Sequence, residues 1–338
     1  MRWLLVVNAG LLAFSALANI SYTCDPTTFA ANAPAGACAA IQGSSVAGVY
    51  SSIFSSINAS IYVQFGNTGV GQSDFNLLPV SYTDYYNALK SVSTDAAVQT
   101  LTAADPIAAY GNTDQTIDVS AALGAALGLS GAAGAGIDVT NGHACTLGLG
   151  NANCYNGVIT LSAQANLFYY PTSPSTPSNN LVDAYGVVEH ETDEILGTIS
   201  CIGSNSTTAF DQCGTSTTDA SPADLFRYAA LNTPTFLNAV NGSTAYFSVN
   251  GGASPATPYS YYINSPGQGD YGDWIYSGAP NVQDGEVSRN YVDLTTDDGS
   301  EIQVLNAVGF NLVPEPGTMG LLGLSLAALV AAGTRLRR

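Results

Sequence analysis

Charge is scarce in this chain: Asp, Glu, Lys and Arg make up only 9% of its 338 residues. Basic side chains are scarcer still. Between residues 19 and 314, Lys90, Arg227 and Arg289 stand against 24 acidic residues, a net charge of −21 for that stretch. A surface this acidic argues against nucleic acid or anionic lipid as partners, and it favours solubility and the attraction of divalent cations. With so few charges, the surface must be covered largely by Ser, Thr, Asn, Gln, Gly and Tyr, which fits an extracellular protein better than a cytosolic one. Histidine occurs only as His143 and His190. No C-x-x-C pair is present, which removes the usual cysteine zinc site. No internal repeat and no long linker appear, so the trimmed chain forms one large domain or two small ones.

The ends of the chain carry addresses. Residues 1–18 contain one arginine (Arg2), an apolar stretch from Trp3 to Phe14, and Ala16-Leu17-Ala18 as a small-x-small cleavage site. That is the grammar of a secretory signal peptide, and the apolar run is short for a bilayer anchor. At the other end, Val313-Pro314-Glu315-Pro316-Gly317-Thr318 precedes an apolar run over 319–333, and the chain closes on Arg335, Leu336, Arg337 and Arg338. Such a run barely crosses the hydrocarbon core, and the arginines hold that end in the cytoplasm. This arrangement resembles the PEP-CTERM sorting signal of envelope-forming bacteria. The resemblance implies an exosortase-type processing enzyme that cuts near 314–317 and passes the protein to the cell surface. A simple tail anchor would leave the domain facing the same compartment. The expected organisation is a signal peptide over 1–18, a domain over 19–312 and a sorting signal with a short transmembrane segment over 313–338. Membrane contact is expected through that last segment alone.

Six cysteines fall into three close pairs: Cys24 with Cys38, Cys145 with Cys154, and Cys201 with Cys213. In an oxidising compartment this predicts three small-loop disulfides between nearest neighbours, although the count permits other connectivities.

Hydrophobic spacing gives an α+β order. Apolar residues at 46, 50, 53 and 57 predict a helix over 41–57, and SIYVQF at 60–65 alternates as a strand. Helices are predicted over 85–92 and 95–104, strands over 115–119 and 157–163, and a small-residue helix with a flexible turn within 121–136. The loop PTSPSTPSNN at 171–180 leads into a helix over 182–196. Beyond Gly197 the chain is loop-rich, with regular pattern only over 222–230, 244–249 and 300–310.

The helix over 182–196 carries VVEHETDEILG at 187–197. In the zinc-protease pattern H-E-x-x-H, two histidines one turn apart hold zinc and the glutamate activates water. Here His190 and Glu191 are in place and Glu194 stands at the second histidine position. His190 and Glu194 share a helix face, and zinc accepts a carboxylate oxygen at nearly the distance it accepts imidazole nitrogen. A second anionic ligand lowers the effective charge on the metal and weakens its pull on water. Glu191 is then the general base. The competing interpretation is an acidic solvated face of Glu189, Glu191, Asp193 and Glu194 beside an ordinary histidine, because an isolated H-E-x-x-E has little specificity.

Laid on the extended metzincin signature H-E-x-x-H-x-x-G-x-x-H, the chain matches at His190, Glu191 and Gly197, while Glu194 and Ser200 replace the other histidines. The stretches NGVITLS, VVEHETDEILG, SPADLFRYAA, AYFSVNGG, GDYGDW and EIQVLNAVGFNL are similar to a family of secreted, PEP-CTERM-bearing metalloproteases that reads H-E-x-x-E-x-x-G at the helix, a resemblance that spans roughly 41–312. The resemblance implies an α+β, metzincin-like domain with a mixed sheet, an active-site helix and a loop-rich C-terminal subdomain. It also implies that the strand before the helix pairs with the substrate backbone along the cleft. No methionine lies between Ala18 and Met319, so the Met-turn of ordinary metzincins is missing.

The third metal ligand stays open among Ser200, His143, Asp211, Asp219 and Asp224. Tyr228, Tyr261, Tyr262 and Tyr271 are candidates to stabilise an oxyanion. Acidic loops at 270–273 and 293–298 lack EF-hand spacing, so calcium is expected only as an accessory ion. The expected function is an exported, cell-surface, zinc-dependent metalloendopeptidase acting on protein or peptide substrates. The alternative is a non-catalytic surface or matrix protein, or a pseudo-protease with a metal-stabilised fold.

Overall fold

A computed structural model describes residues 19–93, 101, 106, 115–171, 180–202, 213, 220–236, 244–253, 261–262, 270–275, 281–285 and 300–313. The chain opens with strand β1 (Asn19–Cys24), helices α1 (Pro26–Asn32), α2 (Ala37–Gln42) and α3 (Ala47–Ile53), and strand β2 (Asn58–Gly66). Strands β3 (Ser73–Phe75) and β4 (Leu77–Ser81) lead to α4 (Tyr82–Val92). Next come β5 (Thr116–Ser120), α5 (Ala121–Ala126), β6 (Ala135–Asp138), β7 (Ala144–Thr146), β8 (Cys154–Tyr155) and β9 (Gly157–Ser162). Two short strands, β10 (Phe168–Tyr169) and β11 (Val182–Asp183), precede α6 (Ala184–Asp193). Beyond it lie β12 (Arg227–Ala230), β13 (Thr233–Pro234), β14 (Tyr246–Phe247) and α7 (Ser300–Val308). The class is α+β, built on several small sheets.

The main sheet runs β1-β2-β9-β3. β1 and β9 flank β2 in parallel, and β3 runs antiparallel to β9, with Asp74 opposite Val158. The sheet is therefore mixed. In β2 the period-2 alternation read from the sequence is the burial pattern itself: Ala59, Ile61, Val63 and Phe65 face the core. Each such large apolar side chain contributes about 1.5–3 kcal/mol by leaving water. β9 is buried along nearly its whole length, as expected for a strand covered on both faces.

Helix α6 lies against this core. Gly157 at the start of β9 lets Ile195 approach so closely that any Cβ there would stand 2.6 Å from it. Tyr50 of α3 donates its hydroxyl to the Glu189 carbonyl (2.9 Å) and to Asp193 Oδ1 (2.7 Å). Tyr22 of β1 shares a hydrogen bond with Thr192 at 2.9 Å. Much of the acidic "face" of this helix is thus internal: Glu189, Glu191 and Asp193 are all buried, which contradicts the solvated-surface interpretation.

Several boundaries differ from the spacing. The helix expected over 41–57 is two helices, α2 and α3, broken after Gly43, where a Cβ would stand 2.9 Å from the Ala39 carbonyl. The segment 222–230 is one 3-10 turn (Ala223–Phe226) followed by strand β12, because Arg227 and Tyr228 pair with Phe247 and Tyr246. Leu127 caps α5, and the chain then turns through Gly128, Gly131 and Gly134 at positive φ. Ser81 caps α4, which starts at Tyr82, three residues before the helix expected at 85. Of the helix expected over 95–104, all but residue 101 lies outside the described residues, as do 172–179 of the loop before α6.

All three nearest-neighbour disulfides are present: Cys24–Cys38, Cys145–Cys154 and Cys201–Cys213. Cross-links closing loops this short restrict the unfolded chain by about 3 kcal/mol each. No helix among the described residues is long and apolar enough to cross a membrane. Residues 1–18 and 314–338 lie outside those described.

Candidate metal centre

Asp183 starts α6 by accepting the Tyr185 N–H at 2.9 Å, a side-chain cap one turn before the motif. The helix then sets His190 and Glu194 on one face, with Nε2 and Oε1 3.7 Å apart. From Glu194 to Thr198 the last turn widens to π-helix, and Gly197 leaves it at φ 130°. Only glycine adopts that conformation freely. Leu123 sits 3.2 Å from where a Cβ would be, so the exit is both strained and crowded for any other residue.

The chain leaving α6 meets a turn from far along the sequence. A Cβ on Gly272 would stand 2.8 Å from the Thr198 carbonyl, so the segment 270–275 lies flush against 198–200. Arg227, fully buried, donates from Nη1 to the Tyr271 carbonyl (3.0 Å) and packs over the Tyr262 ring at 4.7 Å, fixing the same turn. The result places Asp273 Oδ1 3.5 Å from His190 Nε2. His190, Glu194 and Asp273 each offer one ligand atom, and these lie within 4.8 Å of one another. Ligand atoms about 2.0–2.2 Å from a tetrahedral zinc ion stand roughly 3.3–3.6 Å apart, close to what is seen.

The surroundings orient all three. His190 Nδ1 lies 2.7 Å from the Val282 carbonyl, which assigns the proton to Nδ1 and leaves Nε2 facing the carboxylates. Gln283 donates to Asp273 Oδ1 at 3.1 Å. Ser73 of the edge strand β3 donates to Glu194 Oε2 at 2.5 Å, leaving Oε1 towards His190. Partners of this kind typically carry 10–100-fold in metal affinity. Ser73→Ala is therefore expected to weaken zinc binding about tenfold while leaving secondary structure intact, measured by competition with a chromogenic chelator alongside circular dichroism.

The titratable groups of the site perturb one another strongly. Burial, and then the charge of Glu194, push Glu191 up to about 9. Burial pushes Asp273 up to about 7, against the opposing pull of His190. Burial and the charge of Asp273 hold Asp270 well above the usual carboxylate range. Burial disfavours the His190 imidazolium, but Asp273 and Glu194 outweigh it and raise that ring. Burial also opposes ionisation of Glu194, yet its hydrogen bonds and the His190 charge keep it below the usual range. Four acidic groups around one imidazole must take up protons or a cation. The donor set, one nitrogen and two carboxylate oxygens, suits zinc.

Of the described third-ligand candidates from the sequence, none joins the converging group. Ser200 donates to Asp224 Oδ1 at 2.5 Å, and Asp224 Oδ2 accepts from the Cys201 and Ser221 N–H groups and the Ser221 hydroxyl. Both brace the chain after α6, and neither is part of the group that converges on His190. His143 sits exposed on the turn between β6 and β7 and is not part of the converging group. Asp211 and Asp219 lie outside the described residues. The acidic loop at 270–273 places Asp273 beside His190, and 293–298 lies outside the described residues. GDYGDW carries no ligand spacing, and only its tight turn hints at a built position. Among the described residues no tyrosine lines the cavity beside His190, and Tyr262 and Tyr271 are buried near Arg227. The strand before α6 is also not the free edge: β3 covers β9, and β3 borders the site.

A family model for the PEP-CTERM protein-sorting motif matches residues 312–338. No curated protein and no solved structure matches the chain. The chain thus ends in a PEP-CTERM sorting motif, and it is an exported protein, processed by an exosortase, held transiently at the membrane through its C-terminus and displayed at the cell envelope.

Proposed function

We propose that the domain is a zinc-dependent metalloendopeptidase of the cell surface, with His190, Glu194 and Asp273 holding the metal and Glu191 as general base. The observation that carries this is the convergence of His190 Nε2, Glu194 Oε1 and Asp273 Oδ1 beside a cleft lined by Glu191. When bound, zinc supplies Lewis acidity, polarising a peptide carbonyl and making water acidic enough to attack near neutral pH.

The chain's own residues do the rest. The Val282 carbonyl holds the His190 tautomer, and Ser73 and Gln283 aim the two carboxylates. Glu191, beside the ligands but not one of them, takes the proton of the attacking water and returns it to the leaving amine. Gly71 packs so closely on Glu191 and Val187 that a Cβ would collide with both, which holds the base against the cleft wall. Two anionic ligands temper the metal, and the Ser73 hydrogen bond offsets part of that by drawing charge from Glu194. The resemblance to PEP-CTERM-bearing metalloproteases and the metzincin-like order of strand, loop and helix support the same assignment.

Elemental analysis of the purified mature domain is expected to find about one zinc per chain. Hydrolysis of an unfolded protein substrate is expected to stop on chelation and return with zinc. A domain that binds zinc stoichiometrically but hydrolyses nothing is a metal-stabilised surface protein instead.

A further inference from the structure

Beside His190 and Glu191 lies an open cleft of about 210 Å³. That is too small for a whole ligand, since drug-sized ligands occupy about 300 Å³ or more, but ample for one side chain. Val70, Val187 and Val282 supply apolar walls, and Gly71, Gly186 and Gly285 line it without side chains. Among the described residues, one charged group outside the metal centre lines it: Asp284, 7% exposed. Its Oδ2 accepts the Asn281 N–H at 3.0 Å, whereas its buried Oδ1 has no hydrogen-bond partner.

A buried carboxylate oxygen without a donor costs free energy that a bound group can recover. Among the described residues the chain places no cation of its own for this. Lys90 lies over the Tyr86 ring and Arg227 over Tyr262. His190 directs Nδ1 to Val282 and Nε2 to the metal ligands. A second metal ion is disfavoured because, among the described residues, the lining outside the His190 site adds to Asp284 only valines, glycines and the Asn281 amide, with few oxygens to complete its coordination. Lysine and arginine side chains fit this arrangement: an aliphatic stem lies along the valines, and the charged head reaches the carboxylate.

We infer that this cavity is the specificity subsite of the site at His190 and takes a lysine or arginine side chain of the substrate next to the bond that is cut. This rests on the hydrolase assignment, whose metal ligands and base it leaves unchanged. The acidity of the whole domain, with only three basic residues in its mature region, steers basic peptides towards it.

The test uses the zinc-loaded mature domain and fluorogenic peptides that are neutral except for one arginine, scanned across the sequence, with norleucine counterparts. At one position arginine is expected to exceed norleucine about 10–100-fold in kcat/KM. Asp284→Asn should bring that ratio close to one. Equal rates for both series in the native protein, or an arginine preference that survives Asp284→Asn, overturns the proposal. Binding of the same labelled peptides by fluorescence anisotropy separates it from the hydrolase assignment. If nothing is cut yet arginine peptides bind about tenfold tighter than norleucine ones, and Asp284→Asn abolishes the difference, the subsite stands and only the hydrolase assignment falls. Equal binding of the two series removes the subsite.

Discussion

Glu191→Gln is expected to keep zinc and to lower kcat/KM for peptide hydrolysis about 10²–10⁴-fold, the usual contribution of general-base assistance. The substitution is isosteric, and Glu191 is not one of the three groups whose ligand atoms converge. Its carboxyl is 6% exposed and lies at the cavity wall. Burial and Glu194 push it up to about 9, so without a compensating charge it would hold its proton at neutral pH. A dication alongside pulls it back down into the range where a base works. On the proposed assignment, Glu191 would serve as a base only with the ligands beside it loaded. Zinc stoichiometry and steady-state kinetics on the same preparation check this. A variant that keeps the native rate removes Glu191 from the reaction, and one that loses zinc makes it a ligand.

His190→Ala and Asp273→Ala are each expected to abolish stoichiometric zinc, a larger loss than the 10–100-fold typical of an outer partner. Each removes one of three protein ligands. Glu194→His should keep or tighten binding, because it restores the commoner donor at that turn. Ser200→Ala is the informative control. Ser200 occupies the third-ligand position of the extended signature, yet it donates to Asp224, so the variant should cost stability and retain zinc. Elemental analysis and calorimetric titration of all four variants would decide. If His190→Ala and Asp273→Ala both retain native zinc content, the cluster is only a buried acidic pocket, and the hydrolase assignment fails with it.

The features legible in the sequence are those governed by near neighbours. The alternation of β2 needs only the two-residue period of a pleated strand. The placement of His190 and Glu194 on one face needs only helical pitch. The pairing of Cys24 with Cys38, Cys145 with Cys154 and Cys201 with Cys213 follows from short loops that close easily. Gly197 is readable for the same reason, since a positive-φ exit from a helix calls for glycine locally. The sorting address is a linear string that needs no fold at all.

What completes the site is set by distance along the chain. Ser73 reaches Glu194 across 121 residues, and Val282 reaches His190 across 92. Asp273 arrives because Gly272 lets its turn press on Thr198 and because buried Arg227 ties that turn in place. Ser200, placed by the signature at the third-ligand position, is drawn instead into the Asp224 network by a chain direction that only packing fixes. The sequence alone determines which residues share a helical turn, a strand face or a short loop, because backbone geometry repeats every few residues. Which distant carboxylate closes the metal centre is decided by the tertiary structure, because close packing and the satisfaction of buried polar groups act between segments whose separation in sequence carries no period.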